Sequence, residues 1–124
     1  MCFASCAKKE YTQQELLHQG QWTITSIQTL TGIVVHHAPA LPEFFISFLP
    51  TGGITKHMGG EYYMLDDSTM KIIMGLDTNY HLYPPWFDTI NVRFNKVQEV
   101  KIKFNSYSKF EMKTPKEKIY FELF

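Results

Sequence analysis

The segment from Pro42 to Ile73 restricts the fold most, because its short apolar runs are separated by residues that favour chain reversal. Glycine pairs occur at Gly52-Gly53 and Gly59-Gly60, and the polar triplet Asp66-Asp67-Ser68 follows. Both kinds of sequence suit the sharp turns that join antiparallel strands. We therefore predict a meander of four short strands with turns at these three places. The predicted strands are Glu43–Leu49, Ile54–Met58, Glu61–Leu65 and Thr69–Met74.

The alternation of side chains along a strand predicts which face enters the core. In the strand that follows Gly20-Gln21, Trp22 and Ile24 share one face, which we assign to the core. Both faces of Glu43–Leu49 are largely apolar, which predicts a central strand. The core face of the last meander strand is predicted to carry Met70, Ile72 and Met74.

A helix is predicted over Trp86–Lys96, because apolar residues recur there at helical spacing, and Pro84-Pro85 excludes an earlier start. The apolar stripe consists of Phe87, Ile90, Phe94 and Val97. Nearer the N-terminus, Leu16 and Leu17 indicate a short amphipathic turn that packs against the domain. After the helix, alternating runs predict half-buried antiparallel strands around Val100–Phe104, Phe110–Met112 and Ile119–Leu123.

The predicted fold class is therefore mainly β with a minor α content. We expect a single-domain antiparallel β meander or half-barrel over residues 11–124, with one short helix near residues 86–96, preceded by a tether over residues 1–10.

The charge balance argues against a nucleic-acid partner. The chain of 124 residues carries twelve basic and twelve acidic side chains, so its formal net charge is zero and no broad positive field exists. Every basic residue except Arg93 is a lysine, which lacks the planar fork used for bidentate recognition of phosphates and bases.

The two cysteines, Cys2 and Cys6, precede every predicted element, so neither is expected to cross-link the core. The run Phe3-Ala4-Ser5-Cys6, followed by a polar stretch, resembles the end of a bacterial lipoprotein signal, although no charged and apolar signal segment precedes it. This resemblance implies that Cys6 carries lipid and anchors the protein to a membrane. The alternative is a disordered tail with two incidental thiols.

Two surface features are candidates for recognition. Aromatic residues with a polar end suit the rim of a cavity or a partly wet surface, although an ordinary sheet rim would look the same. The candidate ligand or partner face comprises Trp22, Tyr62, Tyr63, Tyr80 and Tyr83. The second feature is an arm from Thr29 to Leu41, in which Ile33-Val34-Val35 is an apolar tripeptide among loop-like residues.

Catalytic and metal sites receive little support from the sequence. His36 and His37 are adjacent and would point to opposite faces of a strand, so they cannot easily share one ion. Asp66-Asp67 suits a turn better than an acid and base pair. The best polar grouping, a weak candidate for a metal or hydrolytic site, is His57, Glu61, Asp77 and His81. We therefore predict no enzyme activity, no cofactor and no metal site.

The order of these parts resembles the META/HslJ-like domain over Leu16 to Phe124. The resemblance rests on the tryptophan strand at Trp22, the glycine turn at Gly52-Gly53, the Gly59-Gly60-Glu61-Tyr62 run, one helix and the closing strands. Where that family often has a Gly-Cys-Asn triplet, this chain has Met58-Gly59-Gly60-Glu61. The resemblance implies a non-enzymatic bacterial envelope lipoprotein, engaged in protein interaction or stress response through an unknown envelope partner.

A lipocalin-like barrel is the rival interpretation, because it too opens with a Gly-x-Trp strand and continues as a meander. It would imply a carrier that binds a small apolar ligand in an interior pocket. The order of elements argues against it, since the predicted helix precedes the last strands instead of following them.

Overall fold

Nine antiparallel strands and two short helices form the part of the chain that the computed structural model describes, namely residues 12–37, 45–56, 58–76 and 91–124. Helix α1 is Gln13–Leu17, and residues 91–94 form a second helix, α2. The strands are β1 Gln21–Thr29, β2 Val34–His37, β3 Ile46–Phe48, β4 Gly53–Lys56, β5 Met58–Met64, β6 Thr69–Leu76, β7 Gln98–Ser106, β8 Lys109–Lys113 and β9 Glu117–Leu123. The predicted fold class, mainly antiparallel β with minor α, is confirmed.

The strands form one sheet that closes into a ring. From β3 to β9, each strand pairs with the next along the chain, as the predicted meander requires. Strand β1 then joins the two ends, because it pairs with β9 from Trp22 opposite Leu123 to Thr29 opposite Glu117 and with β3 at Gln21 and Trp22. Strand β2 extends the sheet beside the second half of β1.

An irregularity in β1 interrupts the regular alternation of inward-facing and outward-facing side chains. Trp22 and Ile24 are fully buried, as predicted, but the next fully buried apolar residue is Ile27, three positions further on. The register with β9 shifts between Ile24 and Ser26, which is the signature of a bulge. The extra residue lets both halves of β1 present a large side chain to the interior.

The central strand of the meander is shorter than predicted and buries one face. Ile46 and Phe48 of β3 are buried, whereas Leu49 is 37% exposed. Leu49 begins the following turn, in which its amide donates to Gly53 O and its carbonyl accepts from Gly52 N. Gly52 has φ +96°, a backbone conformation that suits glycine, so the predicted turn is confirmed here. Strand β3 pairs on both edges, so its predicted central position is confirmed, whereas Ser47 and Leu49 on its outer side are not buried.

The turn predicted at Gly59-Gly60 is wrong, because β5 runs straight through both glycines. Gly60 pairs with Ile54 on one side and with Met74 on the other. A Cβ atom at Gly60 would overlap the carbonyl oxygen of Ile73 and lie 2.7 Å from Met74 Cα. The glycine therefore permits close approach of two strands instead of a chain reversal.

Helix α1 closes one end of the ring. Its first turn has a capping box between Thr12 and Glu15, and the amide of Gln13 donates to Asp67 Oδ1 at 3.1 Å, in the β5–β6 turn. Gln13 Oε1 accepts from the amide of Phe104 in β7 at 3.0 Å. Leu17 is fully buried, and its carbonyl accepts from the indole N–H of Trp22 at 2.9 Å. The predicted packing of this segment against the domain is confirmed.

The second helix lies at the other end of the ring, inside the predicted Trp86–Lys96 range. Of the predicted stripe, Phe94 is fully buried and Val97 is 66% exposed. Val97 misses the core because the helix ends at residue 94 and the chain turns at residues 95 and 96 to enter β7. Phe87 and Ile90 lie outside the described residues. Neither described helix is long and apolar enough to cross a membrane.

We expect Gly60→Ala to lower the free energy of unfolding by about 1–3 kcal/mol, because the added methyl group forces the β5 and β6 backbones apart. The matched control is Gly59→Ala, where an added Cβ would meet nothing within 4 Å. Urea unfolding monitored by tryptophan fluorescence measures both. Equal stability of the two variants would contradict the close-approach explanation.

Candidate functional site

The candidate site is the interior of the strand ring, where side chains from all the ring strands meet in one buried cluster. Strands β1, β4, β6 and β8 run away from α1, and β3, β5, β7 and β9 run back toward it, since neighbours in the ring are antiparallel. The position of a residue along its strand therefore tells which end of the ring it lies near. By this measure the interior has an aromatic half near α1 and an aliphatic half near α2.

The aromatic half is a continuous set of ring contacts. Phe110 is at its centre, stacked on Phe121 with centroids 4.5 Å apart and edge-on to Trp22 at 4.8 Å. Phe48 contacts Tyr62 edge-on at 5.3 Å. Such offset and edge-on arrangements are the favourable ones for aromatic pairs. This half of the ring is thus a packed aromatic layer directly beneath α1.

Tyr62 ties this layer to α1 through its hydroxyl group. The hydroxyl donates to the carbonyl of Leu49 at 2.6 Å and lies 2.8 Å from His18 Nε2. Because the single hydroxyl proton is used on Leu49, the imidazole must donate through Nε2. Burial raises the pKa of Tyr62 to about 12, and burial lowers the pKa of His18, an effect that the nearby Glu15 carboxylate opposes. The contact therefore joins two neutral groups.

The aliphatic half occupies the end of the ring opposite α1. Met58 is the first residue of β5, Met74 lies near the end of β6, and Ile46 opens β3. These residues are at most 1% exposed. The set at this end is Ile27, Ile46, Met58, Ile72, Met74, Phe94, Val100, Met112 and Ile119. Because methionine is flexible and polarisable, this half of the interior can adapt to differently shaped apolar groups more easily than the aromatic half.

Helix α2 lies across this end and makes polar contacts with several strands. Arg93 forms a bidentate ion pair with Glu117 of β9, with Nε–Oε1 at 2.7 Å and Nη2–Oε2 at 3.0 Å. The side-chain amide of Gln98, the first residue of β7, donates to the carbonyl of Arg93. On the β6 side, a Cβ at Gly75 would lie 3.2 Å from Asn91 Oδ1. The helix therefore reaches from β6 to β9 over the aliphatic half.

The side chains at the α2 end present an apolar surface to the interior. The interior surface described at the α2 end is aliphatic, thioether or aromatic. Within the described ranges, no group of three or more His, Cys, Asp or Glu side chains could hold a metal ion. Glu61 of the weak metal candidate lies exposed on β5, and His57, Asp77 and His81 lie outside the described residues.

The predicted aromatic face is divided by the structure. Trp22 and Tyr62 point into the interior and are at most 3% exposed, whereas the neighbouring Tyr63 is 56% exposed on the outer side of β5. The three therefore do not form one face, because successive side chains of a strand alternate. Tyr80, Tyr83 and Cys6 lie outside the described residues. The recognition role of the aromatic residues and the lipid attachment at Cys6 stay predictions.

Sequence reasoning missed the residues that build the α2 end. Met58 was placed in a strand but not in a site, and no local pattern pairs Arg93 with Glu117, which is 24 positions away. Two features of the sequence could have pointed to this end of the ring. Arg93 is the sole arginine, and Phe94 belongs to an apolar stripe at helical spacing.

We expect Tyr62→Phe to lower the free energy of unfolding by about 1–3 kcal/mol at pH 7, since it leaves the Leu49 carbonyl and the His18 N–H without their partner. Tyr63→Phe is the matched control, because that hydroxyl lies on the exposed outer side of the same strand. Urea unfolding of both variants provides the measurement. A loss of stability as large in Tyr63→Phe would refute the special role of the Tyr62 hydroxyl.

Comparison with known proteins identifies the fold but not a family. No protein-family model matches the sequence, and no curated protein sequence matches it. Among solved structures, the chain is similar to a lipocalin-like protein from Bacteroides uniformis ATCC 8492, with a TM-score of 0.53 and 19% sequence identity. The similarity covers 87% of this chain and 99% of that one. The ring of strands described above is thus a lipocalin-like fold.

Proposed function

We propose that this protein is a non-catalytic binding protein that holds a small apolar ligand inside the strand ring, at the α2 end. The observation that carries the proposal is the division of the interior. One end is closed by α1 over a packed aromatic layer, and the other presents aliphatic and methionine side chains beneath a short helix. A ligand is therefore expected to enter from the α2 end.

The likeness to a lipocalin-like protein supports this proposal at the level of the fold. A ring of antiparallel strands with an apolar interior is an architecture that can enclose one small ligand. The sequence order alone argued against a lipocalin-like barrel because of the helix before the last strands. In the structure, that helix lies across one end of the ring and leaves the strand order intact.

The apolar interior also bounds the affinity. A ligand that buries roughly 300 Å² of apolar surface gains about 7.5 kcal/mol at 25 cal/mol per Å². Association entropy reduces this gain, so micromolar affinity or weaker is expected. Binding of this strength suits a carrier that must release its ligand.

Methionine methyl groups offer a direct test, because they occur in both halves of the interior. The protein is labelled with ¹³C at the methionine methyl groups and titrated with the uncharged fluorophore N-phenyl-1-naphthylamine. We expect saturable shifts of the Met58 and Met74 signals at the α2 end. Met64, beside the β5–β6 turn at the α1 end, is the internal control and should shift least.

Two outcomes would contradict the proposal. Absence of saturable shifts up to millimolar probe and across a panel of uncharged aliphatic and aromatic compounds would show that the interior takes no ligand. Larger shifts at Met64 than at Met58 would place the ligand at the wrong end of the ring.

A second function, contact with an envelope protein, is favoured by exposed apolar residues on the β1–β2 hairpin. Ile33, Val34 and Val35 are 66%, 52% and 47% exposed, and β2 borders the sheet beside β1. Exposed apolar side chains that are adjacent to one another suit a protein interface. This function agrees with the proposed META/HslJ-like kinship and with anchoring of Cys6 to the bacterial envelope by lipid, neither of which excludes ligand carriage.

A photo-crosslinking amino acid at Val34 tests this second function in bacterial cells that export the protein. We expect an adduct of discrete mass in the envelope fraction. The same amino acid at Tyr107, which is 63% exposed in the β7–β8 turn, is the control and should give no adduct. No adduct at either position, or the same adduct at both, would argue against the arm as an interface.

A further inference from the structure

Phe94 is the one described residue of α2 that enters the core. It is fully buried, whereas its neighbour Val92 is 65% exposed. It belongs to the same buried cluster as Met58 and Met74 at the aliphatic end. A single aromatic ring therefore anchors the apolar side of the described part of this helix.

The polar contacts that hold α2 are separate from the core. The side chains of Arg93 and Glu117 retain 24% and 19% of their exposure, and a hollow of about 280 Å³ that opens to solvent is lined by both. Partly solvated ion pairs contribute modestly to stability, so this pair can break without unfolding the ring.

We infer that Phe94 is an intramolecular occupant of the ligand site, and that an apolar ligand with a ring-sized end binds by displacing Phe94 while α2 unwinds and moves away from β9. This inference rests on the proposed ligand-binding function. It assigns a ligand class, namely uncharged molecules whose buried end matches a phenyl ring in size and polarity. It also gives the Arg93–Glu117 pair a role in controlling access.

Displacement has a measurable consequence for affinity. When the binding-competent conformation is only a fraction of the population, the apparent affinity equals the intrinsic affinity multiplied by that fraction. A change that favours the displaced conformation must therefore raise both the affinity and the rate of entry. Conversely, ligand binding must favour the displaced conformation to the same extent.

Amide hydrogen exchange of the wild-type protein tests the displacement directly. The amide of Asn95 donates to the carbonyl of Asn91 at 3.0 Å, so it reports on the integrity of α2. At saturating N-phenyl-1-naphthylamine, we expect protection of Asn95 to fall about tenfold or more. The amide of Leu16, which donates to Thr12 in α1 at 3.1 Å, is the internal control and should be unchanged.

Stopped-flow association of the same probe tests the role of the ion pair. We expect Arg93→Gln and Glu117→Gln to bind the probe about threefold to tenfold faster than the wild type, since each releases α2 from β9. Lys118→Gln is the matched control, because it removes a positive charge from an ion pair with Glu111 at 3.7 Å and leaves α2 untouched.

Truncation of Phe94 provides a third test, in which a second variant controls for the effect of a void alone. Phe94→Ala should bind the probe at least about tenfold more tightly than the wild type. Phe121→Ala creates a void of the same size in the closed aromatic half and should gain much less. If either variant fails to fold, the hydrogen-exchange and association measurements still test the displacement of Phe94.

The outcomes separate this inference from the function on which it rests. Saturable binding with unchanged or increased protection of Asn95, or with equal association rates in Arg93→Gln and Lys118→Gln, would overturn displacement and leave the carrier function standing. Absence of binding to wild type, Arg93→Gln and Phe94→Ala alike would overturn both.

Discussion

The pairing of β1 with β9 is the contact on which the rest of the structure depends. It joins the first long strand to the last one, so the sheet has an inside only after both ends of the chain are in place. Without it the strands would form an open meander whose apolar face lay in water. Closure is a long-range contact, so the entropy of loop closure opposes it. The bulge in β1 is part of this closure, since it keeps both Trp22 and Ile27 inside.

The two ends of the ring are covered in physically different ways. At one end, α1 is held by buried and partly buried hydrogen bonds from Trp22 and Phe104, above rings that contact one another face to edge. At the other end, α2 contributes one buried ring and a partly solvated ion pair. The first arrangement includes the buried hydrogen bond from the indole N–H of Trp22 to the carbonyl of Leu17, which is strengthened by the low dielectric constant of its surroundings. Ligand entry is proposed at this second end, where the ion pair is in contact with solvent.

Strand faces were the most predictable feature of this protein. Met70, Ile72 and Met74 are all buried, and so are Val100 and Ile102, because alternation with period two is a local property of an extended chain. The role of Gly60 was not predictable in this way. A glycine pair between apolar runs usually marks a turn, and only the approach of β6 shows that this one accommodates a neighbouring backbone. Alternation also places Tyr62 and Tyr63 on opposite sides of the sheet, but only the packing shows that Tyr62 is the one inside.

The sequence by itself determined a mainly β chain with an N-terminal amphipathic segment, a glycine turn at Gly52 and the inward residues of most strands. These follow from backbone freedom and side-chain alternation over a few residues. Only the tertiary structure decided that β1 closes the sheet on β9, that the interior divides into aromatic and aliphatic halves, and that Arg93 meets Glu117. Each of these depends on which distant segments become neighbours, and that outcome is a balance of burial against chain entropy over the whole molecule.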